Sequence, residues 1–287
     1  MTGEHEEVLA GGNMTAVVRV GDTVRRGAGP WTATIHAFMR HLRASGFKAV
    51  PEPLGIDDRG RESISLLPGA PATYPLPDFA WTEVTLGAVA RFLRAFHDAS
   101  VGFVAPEGGR WQWPAHEPQQ VICHNDFAPY NLMFEDGRLT GLIDLDLASP
   151  GPRVWDMAYT AYRFVPLTDP GNPDAPFPGE DAQARRLAAF CAAYAHPEIE
   201  PSDVLESAAA KLRESSSRSS SAKPPPATRP SKRSWPAETS SSTSATSPTS
   251  SNSWSADRPQ RRSKPRRGAR QRDDPSSRLP SSGRSSD

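Results

Sequence analysis

One stretch leaves the chain few folds to choose from. It is His124-Asn125-Asp126-Phe127-Ala128-Pro129-Tyr130-Asn131, followed by Ile143-Asp144-Leu145-Asp146, whose Asp144 lies thirteen positions after Asn131. The apolar run Val121-Ile122-Cys123 leads into the first segment as a strand. Leu132–Phe134 and Leu139–Ile143 flank Asp136-Gly137, a two-residue turn that signals a hairpin. The pattern predicts a strand that ends in a polar loop, then a hairpin that returns Asp144 beside it. An Asp and an Asn in one short loop, with a second Asp at a strand end, suit phosphoryl transfer. That chemistry asks for a carboxylate near the acceptor hydroxyl and oxygen ligands for Mg²⁺.

The rest of the first 213 residues reads as α+β. Glu7 to Arg26 alternates as strand, turn, strand, with turns at Gly11-Gly12-Asn13 and Gly21-Asp22. Ile35, Phe38, Met39 and Leu42 recur at helical spacing, and Ser45-Gly46 closes that helix. Val50–Ile56 and Ser63–Leu67 read as two further strands, and Pro68-Gly69 as a hinge. Thr82 and Glu83 open a second helix whose apolar stripe is Leu86, Val89, Ala90, Leu93, Phe96 and His97. Helices are also expected from Trp155, over Asp181–Tyr194 and over Ser202–Arg213. His97 at a helix end reads as packing plus a cation at the dipole. Cys123 and Cys191 read as buried small apolar residues, and Trp111 and Trp113 as surface aromatics.

HNDFAPYN followed by LIDLDLASPGPRVWDMAY resembles the aminoglycoside phosphotransferase family, and the likeness extends through RFLRAFHDAS and VVRVGDTVRR to about residues 7–213. The resemblance implies a two-lobed protein-kinase-like fold, with a small antiparallel sheet lobe (1–68) and a mainly helical catalytic lobe (69–213); the family continues with helices where this chain has the tail 214–287, which composition predicts to be disordered. It implies transfer of the γ-phosphate of ATP or GTP, with Mg²⁺, to a hydroxyl of a small molecule such as an aminoglycoside. Asp126 would be the catalytic base, Asn131 and Asp144 the metal ligands, and Asp156 and His124 structural supports of the loop. Asp146 is either a second ligand or a solvated carboxylate.

The nucleotide end departs from the family pattern. Gly11 and Gly12 alone occupy the phosphate-covering turn, and Arg25-Arg26 stands where a strand lysine is expected. Arginine can clamp phosphate bidentately. Alternation puts the two on opposite faces, and its distance from the turn favours Arg25. The helix glutamate that would pair with this cation is absent, and His36 near its place reads as an ordinary helix histidine. Ser65 and Leu67 belong to the strand whose backbone would meet the base.

Composition divides the chain. Of 33 basic and 33 acidic residues, 15 basic but only 5 acidic ones fall in 215–287, leaving 18 and 28 in 1–214. The tail has 24 Ser, 10 Pro and one Leu, too little apolar surface to offset chain entropy, so disorder is expected there. No run approaches a membrane span. Two cysteines without CxxC spacing argue against a disulfide or zinc scaffold and for a cytoplasmic setting. Ser231–Thr249 can be encoded so that a one-base shift reads FKAVLAGGDVELYERDIAY, a helix-like continuation. The tail therefore reads either as an out-of-frame product that leaves the catalytic lobe incomplete, and the module an inactive remnant, or as a basic arm for nucleic acid.

Overall fold

A computed structural model describes residues 5–9, 17–167 and 179–221, with side chains up to Glu214. Gly11 and Gly12 lie outside the described residues, as does 222–287. The first sheet takes β1 (Glu6–Val8), β2 (Val18–Val20), β3 (Thr23–Gly27), β4 (Pro53–Ile56) and β5 (Arg61–Ser65) in the order β1-β2-β3-β5-β4, all antiparallel. Gly21 makes the β2–β3 turn at φ +57°. Helix α1 (Thr32–Ala44) crosses between β3 and β4, and its predicted stripe of Ile35, Phe38, Met39 and Leu42 is wholly buried.

Pro68-Gly69 does not hang free as a hinge. The chain turns there at φ +89° and passes so close to the hairpin that a Cβ on Gly69 would stand 2.5 Å from the Phe134 carbonyl oxygen. It then pairs as β6 (Ala70–Pro71) with β8 (Leu132–Glu135), which forms the expected hairpin with β9 (Arg138–Leu142). Asp136 and Gly137 both take positive φ in that turn. Strand β7 (Val121–Cys123) pairs instead with β10 (Ser149–Gly151), which closes a second path around the loop at Asp126.

Among the described residues, four α-helices follow in the second half: α2 (Glu83–Ser100), α3 (Arg153–Phe164), α4 (Glu180–Tyr194) and α5 (Pro201–Ser221). Thr82 caps α2 by accepting from the Thr85 amide. Helix α5 runs eight residues past the expected end at Arg213. No helix of the described residues is long and apolar enough to cross a membrane. One apolar core runs from α1 and β5 through α2 to the hairpin, α3 and α4. Phe127, inside the polar loop, is fully buried in it, its ring 6.3 Å from Phe96 and 5.9 Å from His124. Burying a phenylalanine is worth about 1.5–3 kcal/mol, so the loop is pinned by an apolar anchor beside its polar groups. Trp111 sits edge-on to Phe38 and Phe103 at the rim of the same core.

Candidate active site

Strand β7 delivers the loop and α3 holds it. The Asp156 carboxylate, fully buried in the first turn of α3, accepts the His124 amide at 2.5 Å and the Asn125 amide at 2.7 Å. His97 Nε2 donates to the same carboxylate at 3.2 Å, and the Tyr194 hydroxyl lies 2.7 Å from His97 Nδ1. Burial opposes the charge on Asp156, but the His97 hydrogen bond outweighs it and holds the carboxyl down at about 2. Burial in turn pushes the His97 imidazole below its ordinary value. His97 lies in the last turn of α2 as expected, and its full burial bears out the packing. It bridges Tyr194 and Asp156 rather than standing at the helix end in solvent, and burial disfavours its charge. Cys123 Sγ, His97 and Asp156 offer ligand atoms within 4.8 Å of one another. Burial raises the thiol well above its ordinary value, and the imidazole and carboxylate are already engaged. The group is a packed hydrogen-bond relay.

The loop residues meet as their spacing suggests. Asn131 Nδ2 donates to Asp126 Oδ2 at 3.0 Å and to the Asp126 carbonyl at 2.9 Å. Asn131 Oδ1 accepts no hydrogen bond among the described residues. The Ile143 amide donates to the Asn131 carbonyl at 2.9 Å, and His124 Nε2 to the Ile143 carbonyl at 3.0 Å. Those two bonds fasten the residue before Asp144 to both ends of the loop. Asn125 and Asp144 take left-handed backbone, φ 68° and 60°, uncommon for non-glycine residues and concentrated at constrained sites. Asn125 is held there by its side-chain bonds to the Leu147 carbonyl and Ser149 Oγ.

The cation on the sheet side is Arg26, and Arg25 is corrected. Arg25 donates to the Thr23 and Ser63 hydroxyls and does not reach the loop. Arg26 pairs with Glu62, with Asp144 Oδ1 at 2.9 Å and with Asp146 Oδ1 at 2.5 Å. The register decides between them. Val24 and Ile64 are cross-strand partners on the core face, Arg26 and Glu62 share that face, and Arg25 lies opposite Ser63 on the other. Burial alone would lower the Arg26 pKa, and the carboxylates of Asp146, Glu62 and Asp144 raise it instead. Glu62 is itself buried, and its carboxyl is depressed against its desolvation by His36 and Arg26. His36 Nε2 lies 2.9 Å from Glu62 Oε1. His36 is thus part of the cation's support, and the carboxylate expected on the helix stands on strand β5. Glu62 had a legible signal, a charge on a strand's apolar face. Asp146 is not solvated: burial pushes its carboxyl up, and it faces Arg26.

Ser65 does not offer a free edge to a base, since its amide donates to the Glu52 carbonyl and its hydroxyl accepts from the Glu52 amide. Leu67 leans over β9, its Cδ1 standing 2.8 Å from where a Cβ on Gly141 would be.

On the other side of Asp126 lies an aromatic cluster that sequence reasoning missed. Tyr130 Oη donates to Asp126 Oδ1 at 2.6 Å and lies 3.0 Å from Tyr159 Oη. Arg163 donates to Tyr159 Oη from Nε and Nη2 at 3.2 and 2.8 Å. Burial and the Asp126 charge raise the Tyr130 phenol well above its ordinary value, so it remains a donor.

Residues 109–200 match the phosphotransferase enzyme family. That segment contains the whole loop, the hairpin and α3, and is shorter than the 7–213 over which the resemblance is read. The trifolitoxin immunity protein of Rhizobium leguminosarum bv. trifolii is 39% identical over 170 residues, which are 57% of this chain. The match spans 64% of the length of that relative. Among solved structures, an amicoumacin kinase in complex with AMP-PNP, Ca²⁺ and Ami superposes with a TM-score of 0.55 at 13% identity, over 74% of this chain and 81% of its own. A candidate aminoglycoside phosphotransferase from Ralstonia eutropha gives 0.50 at 15%, over 73% and 80%. The fold is therefore the two-lobed, protein-kinase-like one.

Proposed function

We propose that the chain is a small-molecule O-phosphotransferase that uses ATP, or GTP, with Mg²⁺. The observation that supports this most is the bonded chain from Asp126 through Asn131 and Ile143 to Asp144, with Arg26 reaching Asp144 from the sheet. Asp126 would orient an acceptor hydroxyl and take its proton. The acceptor oxygen forms a bond to the γ-phosphorus as the bond to the bridging oxygen breaks, and the nucleoside diphosphate leaves. Asn131 Oδ1 and the half-exposed Asp144 are oxygen donors of the kind Mg²⁺ accepts. A divalent ion, when bound, would neutralise charge across the phosphates. Arg26 would then exchange its aspartate contacts for phosphate oxygens while Glu62 and His36 hold its stem side. The nucleotide and divalent ion of the amicoumacin kinase complex support the same reading.

The test is a thermal shift of the full chain with ATP or GTP, with and without Mg²⁺, followed by nucleotide turnover against a panel of hydroxyl compounds. No Mg²⁺-dependent shift with either nucleotide would sink the proposal.

A second reading, favoured by the exposed Leu205 and Leu212 on α5, is an inactive remnant whose further helices were lost to a reading-frame shift. Sequencing the gene around codon 214 decides it: no single-base shift that restores an apolar helical pattern means no lost helices.

A further inference from the structure

Arg163 lies in the last turn of α3, where a cation commonly serves the helix dipole. Here the guanidinium turns to the Tyr159 hydroxyl instead. It lies over the rings of Tyr130, Tyr159 and Tyr162 at 5.6, 5.1 and 5.4 Å. It is partly buried, yet no carboxylate among the described residues forms an ion pair with it, and Nη1 has no hydrogen-bond acceptor there. Desolvated arginines are ordinarily paired. Two hydroxyls, Tyr159 and Tyr130, connect this cation to Asp126. A second cation, Lys211, stands on the same wall, 5.0 Å from the Tyr159 ring and 5.1 Å from that of Trp155. Arg163 and Lys211 thus put two cations against the Tyr159 ring beside the proposed base, while the carboxylates of Asp156, Asp126 and Glu214 act on Lys211.

We infer that the acceptor carries an anionic group near its reacting hydroxyl, and that Arg163, with the tyrosines that orient it, recognises that group. The inference rests on the phosphotransferase reading for the hydroxyl, but the anion site stands on Arg163 alone. A polycationic aminosugar would meet like charge here, whereas a carboxylate or a phosphomonoester would gain the fork geometry of a guanidinium. The plainer account, in which the stacked arginine merely fastens α3 to the loop, predicts no dependence on ligand charge.

Four compounds separate these accounts: glycerol, glycerate, glycerol 2-phosphate and kanamycin, titrated into the full chain without nucleotide. At least one anion should bind ten times or more tightly than glycerol, and kanamycin no more tightly than glycerol. Whichever anion wins names the source of the charge. Arg163→Gln should abolish the preference and Arg163→Lys should keep part of it, with melting temperatures recorded for both. If Arg163→Gln does not fold, the four wild-type affinities and Arg163→Lys still decide. Equal binding of glycerol and both anions, tightest binding of kanamycin, or an anion preference that survives Arg163→Gln would overturn the inference. Anion binding through Arg163 without phosphoryl transfer on adding ATP and Mg²⁺ would instead remove the enzymatic reading and leave the anion site standing.

Discussion

Arg26 and Arg163 both approach the loop at Asp126–Asn131, and their surroundings differ in the one respect that matters for a buried cation. Arg26 faces three carboxylates, Glu62, Asp144 and Asp146, two of them from a segment about 120 positions away in the chain. Arg163 faces three tyrosine rings and no carboxylate among the described residues. The charge of Arg26 is already balanced by carboxylates of the protein. Arg163 has no such carboxylate among the described residues, and the inference of an anionic ligand rests on that difference. Desolvation penalises an unpaired charge far more than a paired one.

The largest effect that bears on this contrast is at the base between the two arginines. Asp126→Ala should cut turnover by about 10³-fold, as expected for loss of a general base, while the nucleotide-dependent thermal shift persists. Asp144→Ala should instead abolish the Mg²⁺-dependent part of that shift. If both variants lose the shift alike, Asp126 is holding the metal and the division of labour is wrong.

Next comes the fidelity of the sheet face. Removing one preorganised charge at transferring phosphates costs about 10²-fold or more, so Arg26→Ala should lower kcat/KM for nucleotide by about that factor. Arg25→Ala, on the other face, should change it less than twofold, roughly the scale of a surface contact. Equal losses would mean that the register is not what selects the working arginine. Glu62→Gln should raise the KM for nucleotide more than it alters melting temperature, because His36 and Arg26 each keep a hydrogen-bond partner.

Stability separates the site from its scaffold. Asp156→Ala leaves the His124 and Asn125 amides buried without acceptors, at about 3–5 kcal/mol by chemical denaturation. The sign with pH follows from the lowered carboxyl. Its folded pKa of about 2 lies below the ordinary 3.8, so its contribution is complete above pH 4 and disappears as pH falls toward 2. Acid unfolding of Asp156→Asn should lack that slope between pH 4 and 2. An unchanged slope would place the titrating group elsewhere.

The smallest effect belongs to Tyr130→Phe. Removing one of two donors to Asp126 costs about 0.5–1.5 kcal/mol of interaction, so turnover should change by less than about tenfold. A loss as large as that of Asp126→Ala would make the phenol a participant in proton transfer.

Much of this arrangement could be read along the chain. The apolar stripes of α1 and α2 have a helical period, the Asp136-Gly137 turn demands two positive φ angles, and the spacing of Asp126, Asn131 and Asp144 follows from a loop and a hairpin of ordinary length. Each depends on neighbours within a few residues, where periodicity and steric preference act directly. What tertiary structure alone decided is pairing across distance. Alternation leaves Arg25 and Arg26 as equals, and only the β3–β5 register, set by burial of Val24 and Ile64, aims Arg26 at Asp144. His97 looks like a helix-end cation until Tyr194, 97 positions later, and Asp156 close around it and burial disfavours its charge. A side chain's partners, and hence its ionisation, belong to the packed core, which no local window of sequence contains.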